Sequence, residues 1–227
     1  FRDSLFEIID RYVPSRKSIT DYIQENKVLP SLTQKELKDL ESLLGRVSPP
    51  ELYVHQVESL NTALFTKTHP VITTGTGSGK TLAFILPMLL SILREATGSD
   101  GRTRWRKLGQ QATEPWWRKP SPRFTPQRPG SNRRPAIRAL LMYPLNALVQ
   151  DQVENLRRAL DSEEADKFYK DVLGGERIFF GQYNGNTPGT GSSDVKLSVE
   201  ECAKRLREIE EQFGDVDKDN RHRLARP

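Results

Sequence analysis

The chain has 227 residues, and 35 Lys and Arg against 30 Asp and Glu give it a formal net charge of +5. Hydrophobic residues make up only 35% of it, so we expect part of the chain to lie outside a packed core. A single cysteine excludes an internal disulfide framework, and with three histidines beside it no dedicated zinc site is expected. No apolar run reaches the ~20 residues of a membrane-spanning helix. Because there is neither an initial Met nor a signal-peptide pattern, we expect a cytoplasmic protein and a piece of a larger chain.

Residues 1–46 predict an N-terminal segment of three short helices. The first carries apolar side chains at helical spacing: Leu5, Phe6, Ile8, Ile9 and Tyr12. Ser18 with Asp21, and Thr33 with Glu36, are capping-box patterns that open the other two. Gly45 followed by Pro49 and Pro50 predicts the end of the segment.

Residues 47–195 alternate between strand and helix signals. Strands are predicted at 71–73, 137–143 and 177–183. Helices are predicted at 80–93 and at 145–160, the second with Leu148, Leu156 and Leu160 on one face. This order is typical of an α/β fold, a parallel sheet with crossover helices. Residues 196–227 predict a helical extension, with a helix from Ser198 (with Glu201) to 212 and a charged tail over 214–227.

A basic stretch at about 95–136 interrupts this alternation and is interpreted as an insertion. Residues 94–138 hold twelve basic and three acidic residues, and all three tryptophans, Trp105, Trp116 and Trp117. Without the stretch the chain would be slightly acidic. Its six prolines exclude long helices and a packed core of its own. Three roles remain open: contact with DNA, contact with another protein or domain, or a solvated excursion.

The strongest chemical signal is a glycine-rich run between a predicted strand and a predicted helix: Thr74, Gly75, Thr76, Gly77, Ser78, Gly79, Lys80 and Thr81. The glycines let the backbone fold around an anion, and the following helix adds the positive end of its dipole. Lys80 can reach the β and γ phosphates, and the Thr81 hydroxyl can ligate Mg²⁺. Thr74 stands where the general P-loop pattern has its first glycine. We interpret the run as a nucleoside triphosphate site; a glycine-rich loop without a ligand is the alternative.

This loop resembles motif I of the superfamily 2 helicases of the DEAD/DEAH type. The resemblance, over about 52–189, implies a RecA-like first motor lobe, ATP with Mg²⁺, and catalytic roles for Lys80 and Thr81. Leu52, Tyr53, Val54, His55 and Gln56 are similar to the family's Q-motif region. By that resemblance Gln56 recognises adenine and Tyr53 stacks on it. The alternative for Gln56 is an ordinary position on a helix surface.

Two further segments resemble family motifs that hold nucleic acid. Residues 143–152 resemble motif Ia, which implies backbone contacts from Pro144, Asn146 and Gln152; Asn146 stands where many relatives have Arg. Residues 183–188 resemble a Tyr-x-Gly-Asp-Thr-Pro segment of some DNA helicases, with Asn186 in place of Asp. This resemblance implies that Gly185 and Thr187 approach a phosphate of the nucleic acid. A capped turn and a plain β-turn are the respective alternatives.

The chain has no apolar strand that ends in the Asp-Glu pair a superfamily 2 motor uses to hold Mg²⁺ and orient water. We therefore expect the front part of the first motor lobe, able to bind ATP and DNA but not to hydrolyse ATP alone. The overall pattern looks most like the large helicases of prokaryotic phage-defence systems such as DISARM. That resemblance implies further protein subunits as partners and no membrane. A nucleotide-switch P-loop module that does not translocate is the competing interpretation.

Overall fold

The computed structural model describes residues 12–66, 68–75, 77–109, 115–123, 130–134, 136–183 and 195–212. The chain divides into two compact units, Phe1–Arg104 and Trp105–Pro227. The first contains α1 (Ile19–Glu25), α2 (Gln34–Leu44), α3 (Val54–Phe65) and α4 (Lys80–Ala96). The second contains a 3₁₀ turn (Trp116–Arg118), α5 (Asn146–Leu160), α6 (Glu163–Asp171) and α7 (Val195–Gln212). Across the described ranges, none of the helices combines the length and apolar character that a bilayer crossing requires.

Capping boxes open α1 and α2, as the sequence predicts. The Ser18 hydroxyl accepts a hydrogen bond from the Asp21 N–H at 3.0 Å, and the Asp21 carboxylate accepts one from the Ser18 N–H at 3.0 Å. Thr33 and Glu36 make the same reciprocal pair at the start of α2. The helix ends at Leu44 without a left-handed residue, because Gly45 keeps φ at −60°. The first predicted helix lies outside the described residues apart from Tyr12, which is not helical.

Helices α3 and α4 pack against each other and form the core of the first unit. Leu60, Leu86 and Leu90 are fully buried. The buried Ser59 hydroxyl donates to the Ala83 carbonyl and joins the two helices. The α4 helix runs three residues beyond its predicted end, with Pro87 buried inside it.

The N-terminal segment is tied to both helices by polar contacts. The Tyr22 hydroxyl donates to Asn61 Oδ1 at 2.8 Å, and burial raises the pKa of Tyr22 to about 12. Arg104 pairs with Glu36 and donates to the Ser31 carbonyl at 2.8 Å and the Thr97 carbonyl at 3.2 Å. These bonds fix α2 to the end of α4.

Residues 13–17 also run antiparallel to residues 52–54, just before α3. The Ser15 N–H donates to the Leu52 carbonyl at 2.8 Å, and the Val54 N–H donates to the Val13 carbonyl at 3.0 Å. A bridge between Pro14 and Tyr53 lies between these two bonds. The pairing brings Tyr12 close to the start of α3.

The described residues do not form the predicted strands or the parallel sheet. Residues 71–73, 137–143 and 177–183 carry no regular secondary structure, and the described part of the chain is helical with two isolated bridges. Val71 is 87% exposed and Met142 84% exposed. A β-rich segment becomes a strand only when a neighbouring backbone takes its hydrogen bonds, and no described segment pairs in this way with these three. Ile178 of the third segment is nevertheless buried.

Part of the basic insertion is packed within the second unit. Residues 105–109 and 130–134 pair antiparallel, with an isolated bridge between Lys107 and Ser131. We call these two paired segments the basal hairpin. The Asn132 N–H donates to the Arg106 carbonyl at 3.2 Å, and the Arg106 N–H donates to Asn132 Oδ1 at 2.9 Å. Trp105 of this hairpin is buried. The interpretation of this stretch as an insertion stays a prediction; its other buried tryptophan, Trp116, packs on α7.

Helix α7 provides that packing. Trp116 is buried against Val199 and Ala203, with Trp117, Cys202 and Leu206 around them. The helix begins at Val195. Ser198, predicted as its cap, therefore lies inside it. Residues 214–227 lie outside the described residues.

The α5 and α6 helices complete the second unit. Leu156 and Leu160 of α5 are buried as predicted, but Leu148 is 41% exposed. Helix α6, which the sequence analysis did not predict, begins at the Ser162 cap, whose hydroxyl accepts from the Ala165 N–H at 3.1 Å.

Candidate functional site

The glycine-rich loop leads directly into α4, as predicted for a phosphate loop. Gly79 precedes the helix in the left-handed conformation, with φ 72° and ψ 30°, and no side chain caps the helix start. The first backbone N–H groups of a helix lack partners within it. These uncapped donors, with the helix dipole, favour an anion at Lys80 and Thr81.

Among the described glycines of the loop, Gly77 is the one beside which there is open space. Gly77 has φ 79°, and a Cβ built on it would meet no atom within 4 Å. Ser78 is buried, and its hydroxyl shares a hydrogen bond of 2.7 Å with the Thr74 hydroxyl across the loop. Lys80 is exposed and Thr81 half-buried in the first turn of α4. Thr76 lies outside the described residues.

Gln56 joins the start of α3 to this loop. Its amide nitrogen donates to the Gly79 carbonyl at 3.1 Å, and its amide oxygen accepts from the Tyr53 N–H at 2.9 Å. The residue is 1% exposed. A Cβ on Gly79 would lie 2.5 Å from the Gln56 nitrogen, so this contact also requires glycine there. Adenine recognition by Gln56 stays a prediction, and the observed amide already uses one donor and one acceptor.

Three rings lie beside the loop, and two of them were not assigned to the site from sequence. Tyr53 stacks on His55 with centroids 5.7 Å apart, and Tyr12 lies 5.7 Å from Tyr53 and 5.8 Å from His55. The Tyr12 hydroxyl is 2.7 Å from the place of a Cβ on Gly75. Tyr12 was interpreted as one position of a helical stripe. Its place depends on backbone pairing between residues about 40 positions apart in sequence, which no local signal shows.

The predicted nucleic-acid residues lie in the second unit. Pro144 is exposed, and Asn146 is the exposed first residue of α5, whose N-cap Leu145 makes no side-chain cap bond. The Gln152 amide oxygen is buried and has no hydrogen-bond partner among the described residues. Burial raises the pKa of Tyr143. Gly185 and Thr187 lie outside the described residues.

The donor set of the loop fits ATP with Mg²⁺. The Thr81 hydroxyl, the Lys80 ammonium and the uncapped N–H groups of α4 are the kinds of group that hold Mg²⁺ and the β and γ phosphates. No group of three His, Cys, Asp or Glu side chains suited to a metal is found among the described residues.

Comparison with known proteins agrees with these features. The family model of the DEAD/DEAH box helicases matches residues 53–179. The Druantia protein DruE of Escherichia coli (strain UMEA 4076-1) is 32% identical over 165 residues, which are 72% of this chain and 7% of that protein. This relative corrects the expected likeness to DISARM, since it belongs to Druantia. No solved structure matches the chain. From Tyr53 to Phe179 the match covers the loop, the Q-motif region and the start of α5, and the chain belongs to the DEAD/DEAH box helicase family.

Proposed function

We propose that the chain binds ATP with Mg²⁺ and nucleic acid as part of the first RecA-like lobe of an ATP-dependent DNA helicase or translocase. The observation that carries the proposal is the glycine-rich turn at Gly77–Gly79, which leads into α4. This helix begins at the exposed Lys80, and no side chain caps its first N–H groups. In this proposal 47–195 is the nucleotide-binding domain with its insertion at about 95–136. Residues 1–46 are an N-terminal helical segment, and 196–227 are a helical extension with a tail.

Each loop residue has a distinct task in this proposal. The N–H groups of residues 75–79 surround the phosphates, and Lys80 contacts the β and γ phosphates. Thr81 ligates Mg²⁺ through its hydroxyl. Tyr53 and Gln56 contact the adenine, for which the Gln56 amide keeps one N–H and one lone pair beside its two present hydrogen bonds.

Nucleic acid is proposed to contact the start of α5. The exposed Pro144 and Asn146 precede helix N–H groups without a side-chain cap, an arrangement that suits a backbone phosphate. The buried amide oxygen of Gln152 lies on the same helix, and Gly185 and Thr187 are proposed to add contacts.

The chain alone is proposed to bind ATP without hydrolysing it, because its sequence contains no Asp-Glu pair to hold Mg²⁺ and orient the attacking water. The chain spans 7% of the length of the curated relative, so hydrolysis and translocation are proposed for a longer parent protein. We also propose a cytoplasmic parent that acts with protein subunits in antiphage defence.

A nucleotide switch that does not translocate is the second candidate. It is favoured by the hydrogen bond from Gln56 to Gly79, because this bond couples the conformation of the loop to α3. The start of α3 is in turn paired with residues 13–17. The longer parent distinguishes the two. DNA-stimulated ATP hydrolysis that Lys80→Ala removes supports the motor, and nucleotide binding without stimulated hydrolysis supports the switch.

Titration of the chain with a fluorescent ATP analogue and Mg²⁺ tests the proposal. Lys80→Ala is expected to weaken binding at least tenfold, about 1.4 kcal/mol. Lys38→Ala, at an exposed position of α2, is the matched control and should bind as the wild type does. Thr81→Ala should remove the dependence on Mg²⁺. Equal affinity of Lys80→Ala and the wild type would overturn the proposal.

A further inference from the structure

The basal hairpin carries exposed positive charge on a well-fixed scaffold. Arg133 is buried inside it and pairs with Glu176 at 3.1 Å, with both side chains no more than 4% exposed. The Arg133 guanidinium also lies 4.0 Å from the centre of the Trp105 ring and donates to the Arg177 carbonyl at 2.8 Å. These contacts, with the Lys107–Ser131 bridge, hold the two arms of the hairpin in one arrangement.

The tryptophans of the insertion are occupied by protein contacts. Trp105 lies under Arg133, and Trp116 packs on Val199 and Ala203. The Trp117 indole donates to Glu210 Oε2 at 3.1 Å. Trp105 and Trp116 are therefore buried and not available as stacking platforms for bases, whereas Trp117 is partly exposed.

The acidic residues that contact the insertion within the second unit are already paired. Glu176 is paired with Arg133, and Glu210 accepts two hydrogen bonds from Arg118, at 3.0 Å and 2.6 Å. Arg106, Lys107 and Arg134 of the basal hairpin are exposed, and no described acidic residue forms an ion pair with them. We call these three residues the basic strip.

Two glycines explain how Arg106 and Lys107 are presented. Gly174 and Gly175, after α6, have φ of 54° and 84°. A Cβ on Gly174 would be 3.1 Å from the Arg106 Cβ, and one on Gly175 would be 3.5 Å from the Lys107 Cδ. The aliphatic parts of the Arg106 and Lys107 side chains thus lie over the Gly174–Gly175 turn, while both residues remain exposed. A long stem packed on a surface leaves the charged head in water, where it can meet a phosphate.

We propose that the basic strip binds the phosphate backbone of a nucleic acid. Cations without local acidic partners gain from phosphate through counterion release, and this gain carries no sequence preference. The proposal rests on the proposed function only in taking nucleic acid as the partner.

The test is the affinity of the whole chain for fluorescein-labelled oligonucleotides, followed by anisotropy from 50 to about 200 mM salt. The test variant is Arg106→Gln with Lys107→Gln and Arg134→Gln. The control removes three exposed lysines elsewhere, Lys35→Gln with Lys38→Gln and Lys170→Gln, so that the net charge is the same in both proteins.

The test variant is expected to bind duplex DNA at least tenfold more weakly than the control at low salt. Its slope of log affinity against log salt should be smaller by about 2.7, since each of the three lost phosphate contacts accounts for ~0.9. Arg106→Lys with Arg134→Lys should keep the slope, because point charges suffice for phosphate. Parallel titrations of single-stranded DNA and of RNA identify which nucleic acid the strip holds best.

Tryptophan fluorescence checks that the test variant is folded, since all three tryptophans lie in the second unit with the strip. Equal slopes and affinities for test and control variants would overturn the proposal, as would binding of an acidic protein with no binding of nucleic acid. If the test and control variants bind nucleic acid equally while ATP binding still depends on Lys80, the strip proposal alone is refuted. If nucleic-acid binding depends on the strip but ATP binding does not depend on Lys80, the proposed nucleotide site alone is refuted.

Discussion

Gln56→Ala removes the amide that links α3 to the glycine-rich loop. In the structure this amide accepts from the Tyr53 N–H at 2.9 Å and donates to the Gly79 carbonyl at 3.1 Å. The Gly79 carbonyl also accepts from the Leu82 N–H at 3.0 Å, so it remains satisfied after the substitution. The Tyr53 N–H loses the acceptor described for it. The cost is therefore mainly that of one unsatisfied, half-buried donor, about 1 kcal/mol, the low end of the range for a buried donor.

Urea unfolding followed by circular dichroism, with hydrogen exchange of the α3 and α4 amides, measures this cost. Gln56→Glu separates the two bonds, because a carboxylate still accepts from Tyr53 but cannot donate to Gly79. We expect exchange to accelerate around Gly79 in both variants and around Tyr53 only in Gln56→Ala. Gln24→Ala, exposed on α1, is the control and should change the free energy of unfolding by less than ~0.5 kcal/mol. If Gln56→Ala matches this control, Gln56 is not a structural link and the reasoning is wrong.

Three further changes test the structure outside the loop. Glu176→Gln removes the carboxylate that pairs with buried Arg133 and should lower the free energy of unfolding by about 3 kcal/mol, measured by urea unfolding followed by tryptophan fluorescence. The control, Glu154→Gln, breaks an exposed 3.9 Å pair with Arg158 and should cost under ~1 kcal/mol. Equal effects would contradict the burial argument. Trp116→Ala should uncover Cys202, so labelling of this single thiol should accelerate at least tenfold, while Trp117→Phe, which keeps a ring, should label at nearly the wild-type rate. Burial of Glu36 would raise its pKa, but hydrogen bonds from Thr33 and Arg104 outweigh this and hold the pKa below its usual value. The stabilisation from Glu36 is thus present above about pH 4.3 and lost as the pH falls through the lower folded-state pKa, so Glu36→Gln should flatten the acid limb of the stability curve.

Local signals predicted the starts of α1, α2 and α4 and the turn that leads into α4, but not the start of α7, since Ser198 lies inside that helix. The caps at Ser18 and Thr33 depend on residues three positions apart, and both form as predicted. The loop at Gly77–Lys80 is likewise set by neighbouring residues, since glycines permit the positive φ and Lys80 starts the helix. Such features can be predicted from sequence because the residues that interact lie within about one helical turn of each other.

Features that depend on distant partners were not predicted. Tyr12 reaches the loop through pairing with residues 52–54, and Arg133 is buried because Glu176, 43 positions away, neutralises it. The predicted strands failed for the same reason, since Val71 and Met142 are apolar and β-prone but have no covering neighbour among the described residues. The charge of the insertion was visible in sequence, but its division into buried Arg133 and exposed Arg106 was not.

Hydrogen exchange of the chain with and without Mg²⁺–ATP tests the central claim most directly. Bound nucleotide should slow the amides of residues 77–83 and of Tyr53 to Gln56, because these contact the phosphates and the base in the proposed site. Lys80→Ala should show no such change at the same ATP concentration. Slowed exchange confined to other residues, or the same slowing in Lys80→Ala, would contradict an ATP site at this loop.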